Sequence, residues 1–547
     1  MDSIRIKRLR SLSDTGHVEI KPITVLLGQN SSGKSTFLRL LPLLKQSAES
    51  RTTGPILWYG RLVDFGSFED AHQNGSEDTI SFSFKFCIGQ GPFLLSTEYE
   101  SRLHRLRILH DLNINLTLEI AENQKKEITR TSKLTLFFQD SKIQLDFDEN
   151  ENVSSFYVNN LDILKLGKQY ISRTFGDRFL LPIISELEQS RDSSQKSIGF
   201  PYDLPIRRSQ PSRSSLWKLL FKAVKDKVHH ATSNETIAEM LMTFGIGNSE
   251  EMLKDFKHSR FLDSWKKQVS DWDLEIGEFN YLRNLLIANS ASSLISICDD
   301  ILARFSQSIS YMGPVRATAE RYYRTQNVAV DEVDYQGHNL TMFLRSLKDS
   351  EMKNFSEWTL DNFGFKPLIK SSLGHFSLKI RPKGAKRDLN IADTGFGFSQ
   401  ILPVITQLWL LSGSPKRHEG SIGSHLVARI PRRVARKKIP TTYAIEQPEL
   451  HLHPRLQGLL TDVFTTSVKV AKDKGIDLRL VIETHSETLV NRLGHLVAEG
   501  RISPDLINIV LFEPSSESGE VIVSTSQFDS EGYLSNWPLG FFEMDLL

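Results

Sequence analysis

The segment Gly28-Gln-Asn-Ser-Ser-Gly-Lys-Ser-Thr36 constrains the fold of this chain more than any other. It fits the pattern G-x-x-x-x-G-K-S-T without a mismatch, and its flanks suit it. The apolar run Ile23–Leu27 reads as a buried strand, and Phe37–Leu41 reads as the first turns of a helix that Pro42 would kink or end. A strand, a glycine-rich loop and a helix N-terminus together present backbone N–H groups and a positive dipole end to a polyphosphate. Lys34 is then expected to reach the β- and γ-phosphates and Ser35 to place its hydroxyl on Mg²⁺, with Asn30, Gly33 and Thr36 completing the cradle. The motif implies a nucleoside triphosphate, with ATP and Mg²⁺ as the expected cofactors.

Composition narrows the setting. At 547 residues the chain is too long for one ordinary core and implies two or three structural units. With 67 basic and 66 acidic residues, the formal net charge of +1 exerts no global pull toward nucleic acid or membrane. Cys87 and Cys298 are the only cysteines, which excludes a disulfide framework and a cysteine-based zinc site. The N-terminus lacks a signal-type apolar core. The apolar stretch Ile401–Leu411 is interrupted by Pro403, Thr406 and Gln407 and is too short to cross a bilayer. The expectation is a cytoplasmic protein with no membrane contact.

Three regions differ in texture. In residues 1–95, Ile4 and Ile6 alternate with charged residues, and Ile80, Phe82, Phe84 and Phe86 alternate with polar ones, as in strands. Residues 96–305 read as an insertion, strands first (Ile114–Leu118, Leu134–Leu136) and then helices (around Leu219–Phe221 and Ile237–Leu241), with a Ser- and Pro-rich loop or hinge at 190–215. Residues 306–547 return to α/β. There Thr441–Ile445 and Leu478–Ile482 read as buried strands, and Leu456, Leu459, Leu460, Val463 and Phe464 form one helical stripe between them. That spacing implies a parallel βαβ unit. The predicted fold is α/β, a P-loop ATPase domain split by a long, largely helical insertion of dimerisation or partner-binding character.

The second lobe carries the rest of the site. Tyr443-Ala-Ile-Glu-Gln-Pro-Glu449 has the form of a Walker B strand, apolar residues running into a carboxylate, and it places Glu446 to hold the Mg²⁺ shell. His485 follows the next strand, where the switch histidine of ABC-type ATPases meets the γ-phosphate. Asp393-Thr-Gly-Phe-Gly-Phe-Ser-Gln400 resembles a degenerate ABC signature. Its Gly395, Gly397, Ser399 and Gln400 would form an anion site at a helix start, completing the site of an opposite protomer. The alternative for this segment is a glycine-rich turn before a core helix.

On these motifs the chain resembles the ABC-type ATPases of the OLD-like group, relatives of the SMC and RecF proteins. Matching segments are Gly28–Thr36, Tyr311–Arg316, Gly337–Leu340, Gly395–Gln400, Glu446–Pro454 and Asn536–Phe542. They cover residues 1–90 and 310–547 well and 95–305 poorly. The overall texture resembles the PtuA-type ATPases of Septu and retron-linked anti-phage systems. The resemblance implies ATP-dependent head-to-tail dimerisation, an HNH-type nuclease partner, and a reverse transcriptase with a DNA–RNA ligand. The chain departs from the family at Gln447, where most members carry a glutamate that orients the attacking water. An amide can hold water but cannot take its proton at neutral pH. Glu446, Gln447 and His485 are the candidate catalytic residues, and slow hydrolysis is one expectation.

No nuclease constellation is legible. Only about 60 residues follow His485, Asp271 and Asp273 read as a solvated acidic pair, and His451 and His453 lack further ligands. The basic run Arg429, Arg432, Arg433, Arg436, Lys437 and Lys438 is open to three readings: a solvated loop, a nucleic-acid backbone contact or a protein-docking site. Three functions remain: an ATP-dependent controller of an effector nuclease, a DNA-repair ATPase, and a non-hydrolysing ATP-stabilised scaffold.

Overall fold

The computed structural model describes residues 1–73, 78–96, 103–123, 128–167, 169–173, 180–186, 214–258, 262–325, 330–372, 374–413, 439–514 and 520–536. Two large sheets organise them. The first has six strands in the order Ile309–Met312, Thr441–Glu446, Leu478–Glu483, Ile23–Gly28, Ile507–Pro514 and Val521–Ser526. Neighbours are parallel except the last pair. Covered on both faces, its strands read as continuous apolar runs, as in Ile23–Gly28, where every residue is buried. The βαβ unit read from the sequence is present: Thr441–Glu446 and Leu478–Glu483 pair in parallel around the helix Pro454–Asp473. That helix starts on Pro454 with His453 capping it, and it buries Leu460, Val463 and Phe464 against the sheet.

The second sheet is antiparallel and nine-stranded. Its main path runs Leu161–Asp162, Val153–Val158, Ser141–Phe147, Ile128–Phe138, Leu112–Asn123, Ile80–Ile88, Ser3–Leu9 and Leu12–Asp14. The boundary anticipated at 95/96 falls inside this sheet. Ile80–Ile88 pairs with Leu112–Asn123 along its whole length, with Phe82 opposite Leu118 and Phe84 opposite Leu116. The strands of the insertion therefore extend the N-terminal lobe by hydrogen bonding. Among the described residues of the insertion, the α-helices run from Ser215 onward and end in the helix Gly277–Gln307.

The helix Lys34–Glu49 touches the parallel sheet on one side and the helix Gly277–Gln307 on the other. It runs through Pro42 instead of ending there, because Leu40, Leu41, Leu43 and Leu44 are buried and their packing outweighs one missing backbone bond. Gly277–Gln307 is long and apolar enough to span a bilayer, but Phe279, Leu285, Ile295 and Leu302 are buried within the protein. The helices Phe396–Gly413, Pro454–Asp473 and Glu487–Ala498 contribute to the core on the opposite face of the parallel sheet.

Candidate functional site

The C-terminal ends of the parallel strands converge on a cavity of about 310 Å³. Its wall includes Asn30 to Thr36, Gln447, Glu483 and His485, together with Arg10 and Ser11 from the first hairpin. Segments more than 400 positions apart are thus joined through strand order: Ile23–Gly28 pairs with Leu478–Glu483, which pairs with Thr441–Glu446.

The loop folds as its glycines dictate. Gly33 has φ 91°, and a Cβ there would meet the Leu12 side chain at 2.5 Å; a Cβ on Gly28 would meet the Phe512 carbonyl at 2.3 Å. The helix Lys34–Glu49 has no side-chain cap and no acid in its first turn, so its leading N–H groups are left for a ligand. Lys34 is buried, and its ammonium donates to the carbonyls of Gly28 at 2.9 Å and Gln29 at 2.5 Å. Burial lowers its pKa against the opposing pull of Glu483 and Glu449. The Ser32 hydroxyl is buried without a partner. A buried ammonium, an orphaned hydroxyl and uncapped helix N–H groups fit a polyphosphate.

Two carboxylates stand side by side at the strand ends, Glu446 opposite Glu483 in register. Their surroundings differ. Glu446 is 2% exposed, and its oxygens accept from Arg39 Nε and Nη2, both at 2.8 Å, and from the Tyr311 hydroxyl at 2.6 Å. It does not line the cavity. Glu483 does, and it accepts the Ser35 hydroxyl at 2.6 Å. Burial pushes its carboxyl up to about 7, with Ser35 acting against that and the charge of Glu446 adding to it. The residues present therefore suit a hard cation, which oxygen ligands of this kind would hold beside the phosphates to neutralise their charge.

Gln447 lines the cavity in a left-handed conformation, φ 42°, and its N–H donates to the Glu483 carbonyl at 2.8 Å. The His485 side chain is exposed at the cavity, and the residue's backbone N–H donates to Glu449 Oε1 at 2.8 Å. Partial burial, with Lys34 nearby, lowers the imidazole pKa. The buried Arg316 donates to the carbonyl of Glu446 at 2.8 Å and so fixes the same strand end.

The signature-like segment lies elsewhere. Gly395, φ 75°, precedes the helix Phe396–Gly413. Ser399 donates back to the Phe396 carbonyl at 2.8 Å and Gln400 to the Arg316 carbonyl at 3.4 Å, and both side chains are buried. Gly397 approaches the carbonyl of His451. None of Gly395, Gly397, Ser399 and Gln400 lines the phosphate cavity. Asp273 caps a turn by accepting the N–H groups of Glu275 and Ile276. His453 caps a helix, and the His451 ring lies 5.8 Å from that of Phe396. The basic run Arg429–Lys438 lies outside the described residues, as do 187–213 and the end of the chain from Trp537.

Sequence reasoning missed Arg10, Ser11, Arg39, Tyr311 and Glu483. For Glu483 the signal was present, since Leu478–Glu483 is an apolar strand running into a carboxylate, the same pattern that singled out Glu446. Arg10 carries no such signal; it sits 4.5 Å over the Phe65 ring, a contact only the fold creates.

A family model described as "AAA ATPase domain" matches residues 1–490. No curated protein matches the chain. Solved structures similar to it include an SMC head bound to the C-winged helix domain of ScpA, at 9% identity and TM-score 0.33, covering 96% of this chain and 98% of that one. Another is the SMC head domain from Thermotoga maritima, at 8% identity and TM-score 0.32, covering 96% and 97%.

Proposed function

The chain belongs to the AAA ATPase domain family, and from that premise we propose that it is an ATP-dependent dimerising switch that controls a separate effector nuclease in anti-phage defence. The observation that carries the ATP part is the gathering of Lys34, Ser35, Gln447, Glu483 and His485 on one cavity, with Ser35 and Glu483 hydrogen-bonded across 448 positions of sequence. Lys34 would leave its two carbonyl partners for the phosphates, a stronger charge-assisted contact. Gln447 can hold a water but not deprotonate it, so the ATP state persists and acts as the signal.

Dimerisation is supported by the surface around the signature-like segment. Phe396 and Tyr322 are 59% and 60% exposed, and the Arg321–Asp393 ion pair at 2.5 Å holds their two segments together. A second copy seated head to tail on this surface would bring Gly395 and Gly397 to its own phosphates. The resemblance of the chain's overall texture to the PtuA-type group supports an HNH-type nuclease as the controlled partner, with a reverse transcriptase and its DNA–RNA product as further components.

The test combines sedimentation with and without Mg²⁺-ATP and co-purification from the native host. Lys34→Ala should lower ATP affinity at least about tenfold and abolish the ATP-dependent dimer, since a charge-assisted contact is worth ~1.5–3 kcal/mol. A co-purifying nuclease supports the defence reading. DNA-stimulated turnover by the isolated chain, with no such partner, would replace it with repair.

A further inference from the structure

We propose that Glu483, and not the Walker B residue Glu446, is the carboxylate this chain presents to the divalent cation of a bound nucleoside triphosphate. The inference rests on the ATP reading and deepens it. Four observations support it together.

The first is placement. The two strands end level, with Glu446 opposite Glu483, but Leu478–Glu483 lies directly beside the P-loop strand and Thr441–Glu446 one strand farther away. Glu483 is therefore nearer the phosphate loop by one strand spacing, roughly 4.8 Å. The second is contact. Glu483 Oε1 already holds the Ser35 hydroxyl at 2.6 Å, and that hydroxyl is the group a P-loop offers to the cation.

The third observation is an unfilled acceptor. Glu483 is 3% exposed, and its Oε2 has no hydrogen-bond partner. A buried carboxylate with one oxygen unpaired is costly unless a cation or a proton satisfies it. The fourth is that Glu446 is already committed. Arg39 grips both of its oxygens and Tyr311 takes Oε1 a second time, so binding a cation there would require breaking a bidentate buried ion pair. Glu483 faces the cavity and Glu446 does not. The charges around Glu483 are Lys34, Arg39 and Glu446, a balance that a divalent cation between Glu483 and a triphosphate leaves favourable.

The experiment measures Mn²⁺ binding to the protein–ATP complex by loss of the free Mn²⁺ resonance, and separately measures ATP affinity in EDTA. Glu483→Gln keeps an acceptor for Ser35 and removes the charge. It should weaken Mn²⁺ binding by about tenfold or more, the scale of one charge-assisted contact. ATP affinity in EDTA should be kept or raised, because a negative charge leaves the phosphate site. That second reading separates the proposal from a merely structural role, in which both affinities would fall. It also reports folding, and Glu483→Ala repeats the test if the amide variant is unstable. Unchanged Mn²⁺ affinity in Glu483→Gln together with its loss in Glu446→Gln would return the role to Glu446 and overturn the proposal. A parent protein that binds no nucleotide, with or without cation, refutes the underlying ATP reading and the proposal with it.

Discussion

Replacing Arg39 with methionine should destabilise the parallel sheet by about 3 kcal/mol, the low end of the ~3–5 kcal/mol lost when one partner of a buried ion pair is removed. The low end applies because the Arg39 side chain is 32% exposed, so water partly screens it, whereas Glu446 is 2% exposed. The substitution keeps the aliphatic stem and removes two 2.8 Å hydrogen bonds, leaving the carboxylate with Tyr311 alone and with Glu483 as its register neighbour. Two acids then face each other without their shared cation. The double variant Arg39→Met/Glu446→Gln leaves a neutral amide that Tyr311 can still donate to. It should recover to within about 1 kcal/mol of the parent, because buried pairs are often replaceable as a whole. The assay is amide hydrogen exchange of Thr441–Glu446, which reads the sheet locally and avoids assuming that a 547-residue chain unfolds in one step. About 3 kcal/mol appears as exchange roughly two orders of magnitude faster. A single-variant effect under about 1 kcal/mol, or a double variant equal to the sum of the singles, would show instead that the pair behaves as a solvated surface contact.

Two further outcomes are expected. Gln447→Glu should raise single-turnover ATP hydrolysis by roughly 10²–10⁴-fold, the usual contribution of a positioned base, and shorten the life of the ATP-dependent dimer; fast hydrolysis in the parent that is lost in Glu449→Gln would move the base to Glu449. Asp299 accepts the N–H groups of Leu180 and Leu181 at 2.9 Å, and burial pushes its carboxyl up to about 8 from an ordinary 3.8. The folded state then binds more protons than the unfolded one across that window, so stability falls as pH rises through it, by at most ~1.4 kcal/mol per pH unit. Asp299→Asn keeps the acceptor and should flatten the dependence; parallel thermal-midpoint profiles for parent and variant between pH 5 and 8 would rule this out.

The local devices are written in consecutive residues. Gly28–Thr36 encodes its own loop because glycine conformations, a following helix and an uncapped N-terminus are short-range requirements. The apolar runs at 23–27, 441–445 and 478–482 encode buried parallel strands for the same reason, and the helical stripe at 456–464 encodes what lies between two of them. Alternation likewise announced strands at Ile80–Phe86 and Ile114–Leu118, which the fold extends to Ile88 and to Leu112–Asn123. It says nothing of partners, however, and the pairing across residue 96 joins to the N-terminal lobe what composition had set apart. The surroundings of each carboxylate were decided in the same way. Both strands end in glutamate, and local sequence cannot rank them. Strand order puts Glu483 beside the P-loop, while Arg39, five residues after Lys34, reaches Glu446 across 407 positions and ties it up. Short-range conformational preference writes a motif into a few consecutive residues; which charges meet depends on register and packing, which exist only once the chain has folded.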